Sequence, residues 1–65
     1  MSFKGFQYKY KLKSACPQEY EAANFAFTQA GWLDVGFEEE NALPSYIIFE
    51  WPHDRPPYYP WVNWP

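Results

Sequence analysis

Cysteine is nearly missing from this chain: Cys16 is the only one in 65 residues. That excludes an internal disulfide, and no run of Cys and His offers a structural zinc site. Glycine occurs at three scattered positions, too few for a glycine-rich phosphate loop. His53 is the only histidine, and no stretch approaches 18 consecutive apolar residues, so no membrane-spanning helix is expected. The opening Met-Ser-Phe-Lys has no apolar run of signal-peptide length, and with one free thiol the expected compartment is the cytoplasm.

What is plentiful is aromatic mass. Four Trp, six Tyr and six Phe make up a quarter of the chain. A domain this small buries only about 60% of the surface its unfolded chain exposes, so its stability is marginal. Each aromatic side chain buries roughly 150–250 Å². An aromatic core is therefore expected in place of a disulfide or metal, with part of that surface left outward for a second protein.

Net charge is −3, but it is unevenly spread. Lys4, Lys9, Lys11 and Lys13 give the first sixteen residues +4, and the remainder carries −7. Such asymmetry either steers a charged partner or lets a basic strand and an acidic hairpin attract each other within one sheet.

Residues 3–13 alternate with period two: Phe6, Tyr8, Tyr10 and Leu12 on one face, Gln7, Lys9, Lys11 and Lys13 on the other. This is the pattern of a half-buried strand. Residues 17–30 read as a helix, with Pro17 at its first position, Ser14 or Cys16 as the cap, and Gly31 ending it. Tyr20, Ala23, Phe27 and Ala30 form its apolar stripe. Residues 32–40 alternate again, setting Leu33, Val35 and Phe37 against Asp34, Gly36 and Glu38. A turn over 41–45 leads into 46–51, apolar on both faces as in a strand covered on two sides. The predicted fold is α+β, a small single domain of β-α-β-β order. It has a three-stranded sheet, one helix on one face, and the first strand parallel to a neighbour through a right-handed crossover.

Residues 1–51 would form the compact domain and residues 52–65 an extended proline- and aromatic-rich C-terminal tail. Five of those last fourteen residues are Pro and four are Tyr or Trp. Proline supplies no ladder donor, so a polyproline-like or irregular segment is expected. Pro56-Pro57-Tyr58-Tyr59 fits the PPxY pattern read by WW domains, and Pro57-Tyr58-Tyr59-Pro60 fits PxxP. The tail is expected either to fold over the sheet face opposite the helix or to insert into a partner.

Candidates for chemistry are few. Cys16 beside a helix start and the distant His53 would make a nucleophilic pair only if the fold joined them. Asp34, Glu38 and Glu40 on one strand face could meet a cation, but no calcium-type loop accompanies them. Without a convergent set of acids, bases or nucleophiles, the chain reads as non-enzymatic, with no catalytic residues, no cofactor and no metal. The expected role is a small protein-binding domain acting by stoichiometric contact, as an inhibitor, adaptor or accessory subunit. Its expected contact residues are Tyr58, Tyr59, Trp61 and Trp64, with Glu38, Glu39 and Glu40 as steering charges. The alternative is a single-stranded nucleic-acid binder using the lysine and aromatic strand, against which stands the placement of lysines and rings on opposite faces. Self-association into a homo-oligomer is a third reading, and no membrane partner is expected.

Overall fold

The structure, a computed structural model, describes residues 2–14 and 16–63. Its elements are β1 (Phe6–Lys11), α1 (Pro17–Gln29), β2 (Leu33–Glu40) and β3 (Leu43–Trp51), the β-α-β-β order read from the sequence. The sheet order is β1-β3-β2, with both pairs antiparallel. β1 and β2 thus run in the same direction without touching, because β3 inserts between them. The expected parallel neighbour for β1 is corrected accordingly. The most apolar strand takes the central place, where burial gains most.

Helix α1 ends as its sequence dictates. Gly31 has φ +109, the Trp32 N–H donates to the Phe27 carbonyl at 3.0 Å, and the Gly31 N–H donates to Thr28 at 3.2 Å. That bond pair is a Schellman motif, and its usual apolar contact is present as Trp32 against Phe27, ring centroids 5.8 Å apart. The motif therefore delivers Trp32 into the core.

Facing pairs Phe6/Trp51, Tyr8/Phe49 and Tyr10/Ile47 lie on the helix side of the sheet. There Phe27 stacks on Phe49 at 4.4 Å, and Trp32 packs on Trp51 at 5.0 Å. Ala23, Phe27, Trp32, Ile47, Phe49 and Trp51 are fully buried. The alternate pairs Gln7/Glu50, Lys9/Ile48 and Lys11/Tyr46 lie on the other face, which no helix covers. β3 is therefore covered on one side and not, as expected, on two. Tyr46, Ile48 and Glu50 stay half-buried on the open face.

β2 breaks the alternation read from its sequence. Asp34 pairs with Phe49 and Gly36 with Ile48, so Val35 is the extra residue of a bulge. Gly36, at φ +150, holds a backbone conformation that suits glycine. The phase then flips, placing Leu33 on the open side and Phe37 opposite Ile47 on the helix side. Leu33, Val35 and Phe37 are each about half exposed, at 50%, 48% and 50%. The hairpin to β3 turns on Asn41 and Ala42 alone, at φ 56 and 65, a pair typical of a two-residue type I′ turn. Leu43 to Ser45, expected in the turn, belong to β3.

Candidate interaction surface

Residues 52–63 lie on the helix side of the sheet, not on the opposite face that was expected. The reason is the position of α1. The Tyr20 hydroxyl donates to Asp34 Oδ2 at 3.0 Å and the Asn24 amide donates to the same oxygen, which ties the helix over β2. Tyr8 on β1 and Trp32 each meet Phe27 of the helix on one side and Tyr59 of the tail on another.

The tail is fastened residue by residue. The His53 ring stands edge-on to Trp51, and its Nε2 lies 3.1 Å from the Gly31 carbonyl. A Cβ on Gly31 would lie 3.0 Å from that nitrogen, so a larger residue there would press on the His53 ring besides straining the backbone at φ +109. The Arg55 guanidinium sits over Trp51 at 5.4 Å. Trp51 Nε1 donates to the Arg55 carbonyl, and Trp32 Nε1 to the Tyr58 carbonyl, each at 2.7 Å. Tyr59 packs against Tyr8 at 5.2 Å and Trp32 at 5.5 Å, and Val62 adds to the same cluster. The tyrosine that ends the PPxY pattern is thus engaged within the chain.

Other tail residues point away. Tyr58 is 63% and Trp61 87% exposed, and Phe25 on the neighbouring helix is 66% exposed. With Ala22, Ala26 and Pro60 they line a groove of about 610 Å³ between α1 and the tail. A second groove, about 310 Å³, separates the tail from β1 and is lined in part by Tyr10, Lys11 and Lys13. Trp64 lies outside the described residues.

The acidic residues do not join this surface. Glu38 is on the open face, where its Oε1 lies 2.7 Å from Lys9 Nζ, an ion pair that reaches across β3. Glu39 and Glu40 are exposed near the hairpin turn. Asp34 and Glu38, expected on one face, fall on opposite faces because of the bulge at Val35. Cys16 begins the helix while His53 sits by Gly31 beyond its end, so the fold keeps the thiol and the imidazole apart. Tyr46, opposite Lys11, is the aromatic that does share the lysine face.

One residue escaped the sequence reading. Glu19 is fully buried, at 0% exposure. Its carboxylate accepts the Lys13 N–H at 2.9 and 2.7 Å, the Ser14 N–H at 2.7 Å and the Ser14 hydroxyl at 3.0 Å. Cys16 at the cap position makes no side-chain cap bond, so Glu19, three residues into the helix, reaches back to clasp the β1–α1 loop as a displaced capping box. Burial opposes ionisation, but the bonds from Lys13 and Ser14 outweigh it and hold the carboxyl below its usual value. Spacing could have found it, because Glu19, Ala23 and Phe27 lie four apart on one helical stripe. Tyr10 is pushed up by burial and by Glu19, and Tyr20 by burial and its bond to Asp34.

Among the described residues, no helix is long and apolar enough to cross a membrane. No protein-family model, no curated protein and no solved structure matches the chain.

Proposed function

We propose that this chain is a non-enzymatic, cytoplasmic protein-binding domain that acts by stoichiometric contact, as an inhibitor, adaptor or accessory subunit of a larger protein. One observation carries the reading. Phe25, Tyr58 and Trp61 flank a single groove and are each more than 60% exposed, although the aromatic core is complete without them. Tyr and Trp are the residues that dominate binding hot spots, and a surface cluster of such rings marks an interaction site. Support for a non-catalytic role comes from the polar groups: Glu19, Asp34 and His53 are each absorbed in contacts that position the helix or the tail. Glu39 and Glu40 stand apart from the aromatic patch and serve, on this reading, only as long-range steering charges.

The test is affinity capture from the native host with the whole chain and with Phe25→Ser/Trp61→Ser. Both changes lie outside the buried core, so the variant keeps its near-UV circular dichroism. The expected result is one partner in stoichiometric amount, lost with the variant. Equal capture by a folded variant would remove the patch from the account. Binding of a single-stranded oligonucleotide that weakens steeply with salt would favour the lysine face around Tyr46 instead.

A further inference from the structure

The tail meets the domain with a period of three. The carbonyls of Arg55 and Tyr58, three residues apart, accept from the indoles of Trp51 and Trp32. Tyr59, itself half exposed, and Val62, three apart, touch the domain, while Tyr58 and Trp61, three apart, are more exposed. A polyproline II helix has three residues per turn, no internal hydrogen bonds, and carbonyls free to accept on one side at each turn. Recognition of proline-rich segments uses aromatic-lined grooves of this kind. Here two indoles, each on a ring only 1% exposed, donate to two tail carbonyls, one at the end of the bend over 53–55 and one in the irregular stretch that follows.

We propose that Tyr8, Trp32 and Trp51 form a binding groove for extended proline- and tyrosine-rich peptide, occupied in this structure by the chain's own residues 55–62. A partner segment of the same chemistry binds by displacing them. The seated tail identifies the occupant's chemistry: backbone carbonyls answer the two indoles, an aromatic ring meets Tyr8 and Trp32, and an aliphatic residue follows three positions later. Lys13, just beyond β1 on the groove beside the tail, favours an uncharged or acidic segment over a basic one. The inference rests on the protein-binding reading but uses the surface beneath the tail, whereas the Phe25 and Trp61 patch is formed in part by the tail's outer side. The docked tail is an intramolecular competitor at an effective concentration of millimolar order, which hides the groove from weak ligands.

The probe is a synthetic peptide of residues 55–63, added to the full-length chain and followed by the Trp32 and Trp51 indole N–H resonances. The intact chain should bind it with an apparent Kd above about 1 mM. In full-length Tyr59→Ala the tail's own grip is weakened, and apparent affinity should rise at least about tenfold. Val62→Ser should behave likewise. Should both variants lose their folded spectrum, its return with millimolar peptide supports the proposal, and failure to return overturns it. A peptide with glycine in place of Pro57 and Pro60 should bind about tenfold more weakly. No gain in a folded variant, or equal binding of the glycine peptide, would overturn the groove. So would a variant that dimerises by exchanging tails, seen by sedimentation, yet takes up no peptide. Partner capture that depends on Trp61 survives any of these failures, so the two readings fail separately.

Discussion

Helix α1 and residues 52–63 both lie on one side of the sheet, yet their backbones are satisfied in different ways. The helix bonds to itself, closes with its Schellman motif, and secures its first turn through Glu19. The tail belongs to no helix or strand, and four prolines between 52 and 63 remove its own donors. Its carbonyls rely on side-chain donors from Trp32 and Trp51. An element with an internal ladder can be placed by apolar packing alone. An element without one needs partners at named atoms, and single substitutions should reveal the difference.

The largest effect should come from Trp32, which serves both elements. Trp32→Ala should cost about 3–5 kcal/mol in urea denaturation. That approaches the whole stability of a 65-residue domain, about 3–10 kcal/mol. Trp32→Phe keeps a ring but removes the donor to Tyr58, and should cost about 1–2 kcal/mol, with the tail loosened more than the helix. Uniform loss of hydrogen-exchange protection in both would break the comparison.

Glu19 probes the helix side. Glu19→Gln should cost about 1–3 kcal/mol, since an amide nitrogen cannot accept from Lys13 or Ser14. The folded pKa of Glu19 lies below its usual 4.5, so its contribution is complete above that value. It is lost as pH falls through the lowered folded pKa. Urea midpoints at neutral and acid pH should converge for the wild type and Glu19→Gln, and a gap that widens in acid would reverse the sign.

Within the tail, Tyr59→Ala should cost about 1–2 kcal/mol through its two ring contacts. The exposed Trp61→Ala should change stability by less than about 0.5 kcal/mol. Equal effects would mean that the inward and outward positions are not distinct. A control away from both elements is Ala42→Gly, which relieves a left-handed alanine and should stabilise by about 0.5–1 kcal/mol. Smallest of all, Lys9→Ala removes an ion pair in which both side chains are about half exposed, and should cost less than about 0.5 kcal/mol.

The order of elements was legible because each was locally marked: alternating rings in β1, Pro17 and Gly31 bracketing α1, and the β-branched run of β3. Other features were not, and three of them show why. The bulge at Val35 depends on how β2 registers against β3, a non-local matter, so Asp34 and Glu38 were read onto one face. The burial of Glu19 was not legible, because a charged side chain stays exposed unless partners such as the Lys13 and Ser14 N–H groups are brought to it by the fold. The side on which the tail lies depends on where α1 sits, set by Phe27 against Phe49, Tyr8 and Tyr10 together with the bonds from Tyr20 and Asn24 to Asp34, and no local pattern encodes those contacts. As for the candidate surface, the sequence singled out Tyr58, Tyr59 and Trp61 together. The fold distinguishes them: Tyr59, half exposed, touches Tyr8 and Trp32, while the other two lie outward beside Phe25.

Indole N–H exchange, measured residue by residue in the full-length chain, tests the docked tail most directly. The account requires slow exchange at Trp32 and Trp51, whose protons are held by Tyr58 and Arg55, and fast exchange at Trp61. Exchange at Trp32 as fast as at Trp61 would mean that the tail is not docked, and would contradict both the fold's cover and the groove beneath it.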